Sequence, residues 1–335
     1  MAHEGCPTQP VLSAIGSLVE AEYDLRVLSV QPVILGVNRT FEIRTVSTSY
    51  FFRICRELGR SLDDLRAEAA ITAAARDDAL LGVARAVPKT DGTYVLDCRE
   101  LGDRARYGLL FQQAQGREPR LCDRDLRCVG RALARLHAQP QLAGLAPGRR
   151  LGDFPDDDAW LTELAKRARI PKHIGSRIEA RLRRLRIGSD PAGPRGFCHG
   201  DFRCGNVRIS GERVTLFDFD DCGLGPQWYD LATMGWWLET STQWPRSAAA
   251  WAAFVRAYFD GPPQDPKFAR TITHLIAQNE IRAACFLVGY CELTPDLSRE
   301  VMGSLDRLTK RAVAARLHIF ANHSPAPLHV ASITR

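Results

Sequence analysis

The chain contains no G-x-x-x-x-G-K-[ST] run, which argues against a P-loop kinase. Its 10 cysteines include no C-x-x-C pair, and their spacings match no structural zinc pattern. Cysteines so scattered fit free thiols in a reducing compartment. No apolar run reaches the roughly 20 residues of a membrane span, and Met1–Pro10 is polar, without the apolar core of a signal peptide. A cytoplasmic location without a membrane partner is therefore expected. Internal repeats, low-complexity tracts, helix-turn-helix, zinc-finger and RNA-binding signatures are all missing. The net charge of +6 comes from arginines without the interleaved aromatics of a single-strand reader, so no nucleic-acid partner is expected.

What remains is ample for a globular enzyme. A chain of 335 residues with 45% hydrophobic content suggests about two domains. The first third reads as mostly strands: Leu25–Val30, then a hairpin of Arg39–Val46 and Tyr50–Cys55. A helix follows, with Ser61 as N-cap, Asp63 and Asp64 in its first turn, and Leu65, Ala69 and Thr72 facing inward. Further strands are predicted at Ala84–Pro88, Thr93–Cys98 and Tyr107–Gln113, the first two joined by a turn at Asp91-Gly92. After Gly116 the pattern turns helical, with Leu126, Val129, Gly130, Leu133 and Leu136 on one face. Helices are predicted at Asp157–Arg169 and Lys172–Ile187. A β-rich insert spans Phe197–Phe219, turning at Ser210-Gly211. Helices resume from Pro226, broken near Gly261-Pro262-Pro263 and Thr294-Pro295. This divides the chain into a β-rich lobe at 1–111, a connector at 112–116 and a helical lobe at 117–335.

The chemistry concentrates in His199-Gly200-Asp201, Asn206 and Asp218. A kinase catalytic loop places an Asn five positions after its Asp, with a metal-binding Asp beyond a further hairpin; Asp201, Asn206 and Asp218 reproduce that order. Phosphoryl transfer needs a carboxylate to accept the proton or hydrogen bond of the attacking hydroxyl. It also needs a divalent cation on the triphosphate, and Mg2+ prefers oxygen ligands such as Asp carboxylates and Asn carbonyls. An H-G-D triplet alone arises easily by chance, since Asp and Gly are turn residues. The ordered set, completed by Tyr229-Asp230-Leu231-Ala232, does not.

These motifs, with Phe217-Asp218-Phe219-Asp220-Asp221-Cys222-Gly223, resemble the aminoglycoside phosphotransferase and choline kinase superfamily. Ala84–Thr90 with Asp91-Gly92, Leu109-Leu110-Phe111 with Gly116, and Leu133-Ala134-Arg135-Leu136-His137 resemble its stress-response Ser/Thr kinase and homoserine kinase branch. The resemblance implies an α+β, bilobal protein-kinase-like fold and an ATP- and Mg2+-dependent kinase. Asp201 becomes the base, and Asn206 and Asp218 the metal ligands. Asp230 buttresses the catalytic loop, and His199 packs it. In the nucleotide lobe, Gly36 and Asn38 sit in a phosphate-covering turn, and Arg53 stands where the family carries a phosphate-binding Lys or Arg, with Glu68 as its partner. Phe111, Gln112 and Gln113 border the adenine.

The acceptor is less defined. Asp220, Trp237, Glu280 and Arg282 are substrate candidates, beside Trp236, Trp244, Trp251 and Tyr290. Tryptophans serve a helical core as readily as an aromatic wall. Between Ile272 and Ile319 acids do not outnumber Arg and Lys, which speaks against a polycationic aminoglycoside. A small amino-alcohol-like hydroxyl compound and a Ser or Thr peptide both remain. The basic helix at Arg177–Arg186 suits an acidic peptide or plain solvation. With Arg53 and a single glycine in the turn, a nucleotide-binding pseudokinase is the reading from another class. Only twelve positions separate Asp218 from Asp230, too few for a long phosphorylated activation loop.

Overall fold

The computed structural model describes residues 7–35, 38–55, 60–102, 106–148, 151, 172–186, 193–240, 246–290, 294–299, 301–303 and 306. The predicted helix at Asp157–Arg169, together with Gly36 and Trp244, lies outside them.

The first element is a helix that the mostly-strand reading of the opening did not include. Helix α1 spans Gln9–Tyr23, with Pro10 in its first turn and Asp24 closing it in the left-handed region. Its buried stripe is thin, Ile15, Val19 and Tyr23 at helical spacing, and packs on the sheet beside Phe41, Ile43 and Phe52. Strands β1 (Val27–Leu35), β2 (Arg39–Thr45), β3 (Ser49–Ile54), β5 (Leu96–Asp97) and β6 (Tyr107–Gln112) form one antiparallel sheet in the order β1-β2-β3-β6-β5. Alternation in β2 turns Phe41 and Ile43 into the core and leaves Glu42 and Arg44 outside it. Helix α2 (Leu62–Ala74) starts with the predicted cap. The Ser61 hydroxyl accepts from the Asp64 N–H, and the Asp64 carboxylate accepts from the Ser61 N–H.

Strand β4 differs from expectation. It is short, Leu81–Val83, and pairs with neither β5 nor the main sheet. It runs parallel to β9 (Arg213–Leu216), whose other neighbour is β8 (Val207–Ser210), so the segment after α2 joins the β8–β9 hairpin. The predicted Ala84–Pro88 strand reduces to a single bridge between Ala86 and Phe111. Lys89–Thr93 keeps its turn, closed by backbone bonds between Lys89 and Thr93 and between Gly92 and Lys89.

Helices α3 (Asp123–His137), α4 (Lys172–Arg186), α5 (Trp228–Thr240), α6 (Arg246–Phe259) and α7 (Phe268–Tyr290) build the larger lobe among the described residues. Leu126, Val129, Leu133 and Leu136 face its core. At Gly130 helix α3 meets the Phe254 carbonyl of α6 so closely that a Cβ would overlap it. The Gly261-Pro262-Pro263 break separates α6 from α7 as expected. Strand β7 (Arg195–Cys198), which pairs with β10 (Gly223–Pro226), delivers the catalytic loop onto this core.

Candidate active site

Two short hairpin systems bring the sequence-predicted residues together. Strand β7 ends at Cys198 and β8 begins at Val207, so residues 199–206 form the loop between them. Val207 pairs with Leu216, and the Phe217 N–H donates to the Asn206 carbonyl at 3.1 Å. Asp218, one residue on, thus follows the strand opposite Asn206. It adopts φ 65°, an uncommon angle for a residue with a side chain.

Within the loop, the Asn206 amide donates to both the Asp201 carbonyl oxygen at 2.9 Å and Asp201 Oδ2 at 2.8 Å. With its Nδ2 so committed, Asn206 has its side-chain Oδ1 left for a ligand. Asp201 and Asp218 are ringed by protein yet keep 27% and 36% side-chain exposure, so solvent or substrate still reaches them. Burial raises the Asp201 carboxyl above its usual range, and the positive charge of Arg203 opposes that rise. Burial raises Asp218 likewise, against the charge of Arg53.

His199 packs the loop from beneath. It is fully buried, and burial lowers its pKa, favouring the neutral ring. The neutral tautomer that fits has Nε2–H donating to the Phe217 carbonyl at 3.1 Å and Nδ1 facing the Asp201 N–H at 3.4 Å. Asp230, also fully buried, accepts from the backbone N–H groups of His199 at 2.6 Å and Gly200 at 2.8 Å. Its third bond comes from His137 Nε2 at 3.0 Å, and His137 Nδ1 accepts from the Tyr258 hydroxyl at 2.8 Å. Helices α3, α5 and α6 therefore all hold one loop. Gly200, at φ 87°, lies against the Asp221 carbonyl, where a Cβ would overlap.

The nucleotide lobe contributes Arg53 from β3. It pairs with Glu68 of α2, and its Nη1 donates to Asp218 Oδ1 at 2.9 Å. Burial works against the Arg53 charge, but Glu68 and the nearby acids hold the guanidinium firmly protonated. Arg53 Nε and Glu68 Oε1 are buried polar atoms that find no partner among the described residues. Phe111 lies under the same guanidinium, 5.1 Å from ring centre to Cζ. Asn38 donates to Asp220 Oδ2 at 3.0 Å, so its side chain reaches the segment after Asp218. Gln112 and Gln113 lie at the end of β6, where the Gln112 N–H is taken by the Arg85 carbonyl.

Several acceptor candidates are occupied otherwise. Asp220 is held by Arg60 and Asn38, and Asp221 by Arg60. Glu280 is buried and accepts from the Trp236 indole N–H. Trp251 is a core residue whose ring lies tilted against that of Phe254, and Trp237 packs against the same core. Arg282 reaches back to the loops, donating to the Tyr229 hydroxyl at 2.6 Å and the Gly200 carbonyl at 3.3 Å, with Asp221 at 3.4 Å. Two arginines were missed by sequence reasoning. Arg60, just before the α2 cap, lies about 160 residues from its partners and leaves no local signal. Arg203 sits two residues after Asp201, and that proximity was a usable signal.

Asp218 and the side-chain Oδ1 of Asn206 fit a hard cation that keeps most of its coordination for phosphate and water oxygens. Among the described residues no group of three or more His, Cys, Asp or Glu could hold a metal by itself. Nor is any described helix long and apolar enough to cross a membrane.

Residues 35–270 match the phosphotransferase enzyme family APH. The chain belongs to the APH family. It is a kinase-type phosphotransferase, with the bilobal α+β fold that the motifs implied. An uncharacterized protein of Deinococcus radiodurans is 29% identical to this phosphotransferase over 281 residues, covering 79% of this chain and 78% of its own. Among solved structures, an amicoumacin kinase in complex with AMP-PNP, Ca2+ and Ami shares 16% identity at a TM-score of 0.70, over 89% of this chain and 93% of its own. A microcompartment-associated aminopropanol kinase shares 22% at a TM-score of 0.70, over 91% and 99%. A spectinomycin phosphotransferase in complex with ADP and spectinomycin shares 12% at a TM-score of 0.59, over 93% and 99%.

Proposed function

We propose that this phosphotransferase moves the γ-phosphate of ATP, with Mg2+, to a hydroxyl of a small, amino-alcohol-like metabolite. The observation that carries the reading is the hydrogen-bonded cluster of Asp201 and Asn206, with Asp218 across the hairpin, opening to solvent below Arg53. In this reading Asp201 accepts the proton of the attacking hydroxyl, and Asn206 and Asp218 hold the cation. A Mg2+ held there would supply neutralisation of the phosphate charge that builds during transfer. Arg53, held by Glu68, takes the inner phosphates, and the connector at 112–116 borders the base between lobes 1–111 and 117–335.

Two features favour a small, weakly charged acceptor. The amicoumacin, aminopropanol and spectinomycin kinases named above act on small molecules. And the carboxylates beside the loop, Asp220, Asp221 and Glu280, already have partners in Arg60, Arg282 and Trp236, which suits a polycation poorly.

The test is a thermal-shift screen with Mg-ATP and then with candidate alcohols, followed by tracking of 32P from the γ-position. Label entering a small organic product, and no label with Asp201→Asn, is the expected outcome. Label in peptide or protein would replace the acceptor class with a Ser/Thr substrate. Nucleotide binding without turnover would leave a pseudokinase.

A further inference from the structure

Asp201 has two carboxylate oxygens, and the protein treats them unequally. Oδ2 receives Asn206 Nδ2 at 2.8 Å and Arg203 Nε at 2.9 Å. Oδ1 receives no hydrogen bond from the described residues. A carboxylate held through one oxygen by one donor still swings about its Cβ–Cγ bond. Two donors converging on that oxygen from different side chains restrict the swing and aim the other oxygen outward.

The second donor is a distinct device. Asn206 is shared with the cation in the reading above, so its amide answers to two partners. Arg203 answers to Asp201 alone through Nε, and it keeps its charge at any working pH. Its placement also depends on a neighbour. Arg203 has extended backbone, at φ −152°, before the turn Cys204–Asn206, and its guanidinium folds back over Gly205. A Cβ built on Gly205 would sit 2.7 Å from Arg203 Nη1 and meets no other atom as closely. Gly205 does not adopt positive φ, so backbone strain does not require a glycine there. The free space above it is what the guanidinium uses.

We propose that Arg203 is a positioning residue for phosphoryl transfer, seated by the missing side chain of Gly205, which orients Asp201 toward the acceptor hydroxyl. The inference rests on Asp201 acting as base. A lysine at 203 retains charge but has no Nε–H fork to bond Asp201 while spanning Gly205. An alanine at 205 retains the arginine but pushes its flexible end aside.

The experiment measures Mg-ATP turnover as released phosphate, water standing in for the acceptor, with the full chain and its variants. Wild type, Asp201→Asn, Arg203→Gln, Arg203→Lys, Gly205→Ala and the Arg203→Gln/Gly205→Ala double variant are compared. Arg203→Gln is expected to lower kcat by roughly ten- to a hundredfold, the scale of a misplaced catalytic group. The KM for ATP should stay within about twofold, as expected when binding is untouched. Millimolar guanidinium should restore part of the lost kcat, and Arg203→Lys should fall between. Gly205→Ala should lower kcat in the same direction with little change in Tm, and add nothing once Arg203 is Gln, because both act through one contact. Unchanged kcat in Arg203→Gln, with Asp201→Asn inactive, sinks this inference and leaves the kinase reading standing. Wild type without turnover, or full turnover in Asp201→Asn, removes both. Should Arg203→Gln fail to fold, Gly205→Ala decides: wild-type kcat there overturns the proposal.

Discussion

Asp230 carries three hydrogen bonds on two oxygens in a site closed to water, and two of them end on catalytic-loop N–H groups. Replacing it by Ala strands those donors, each costing about 1–3 kcal/mol when buried unpaired. Asp230→Ala should therefore lower Tm by many degrees and abolish turnover together, as seen by thermal melting and ATP assay. Its role was legible because the Tyr-Asp-Leu-Ala run follows the H-G-D and Asp218 motifs in order. The partners His137 and Tyr258 were only half legible. His137 stood in a recognisable run, but nothing in one dimension links Tyr258 to it across 121 positions. Arg60 was invisible for the same reason. Asp220 and Glu280 looked like acceptor contacts because an unpaired carboxylate cannot be told from a paired one until its partner is located.

Elements with strong local chemistry were readable. The α2 cap is a reciprocal Ser61–Asp64 pair, and Ser61→Ala should cost about 1 kcal/mol, visible as a lower urea midpoint with an unchanged slope. Helix α3 was readable from one apolar stripe, and its glycine has a consequence. A Cβ at Gly130 overlaps the backbone of α6, which cannot rotate away as a side chain can. Gly130→Ala should destabilise by about 1–3 kcal/mol, against the usual gain for Gly to Ala in a helix. Chemical denaturation gives the sign directly. Helix α1 escaped notice because four buried residues in fifteen, one of them a glycine, make a faint period, and the apolar positions after Leu25 drew the reading toward strands. The strand expected at Ala84–Pro88 lies just before that stretch, as β4 at Leu81–Val83, and the one expected at Thr93–Cys98 shrinks to β5 at Leu96–Asp97. Both are too short for alternation to register, and their partners are fixed by tertiary contact.

At the scale of the whole molecule, the ligand-free charge balance matters. Asp218 is compensated by Arg53, so in the proposed site a metal–nucleotide complex would take over both partners of an existing ion pair. Ligand binding nonetheless stabilises by mass action, about 2.7 kcal/mol at a hundred times Kd. Mg-ATP should raise the Tm of wild type by several degrees. Asp218→Asn should remove the Mg-dependent part of that rise while leaving the ligand-free Tm close to normal, since Arg53 retains Glu68. A full Mg-dependent shift in Asp218→Asn would take that residue out of the metal site.

Strand β4 lies before the connector in the chain but after it in space. It completes the sheet of the β8–β9 hairpin, and Arg213 of β9 ties the adjoining Asp77 and Asp78. Scissors placed at the connector would therefore not free two self-sufficient halves. The downstream piece would be left with a bare β9 border, open to pairing with any passing strand, and the upstream piece with an orphaned ribbon. Domain exchange among related enzymes at that joint should fail unless the stretch from Asp77 to Val83 travels with the hairpin it completes.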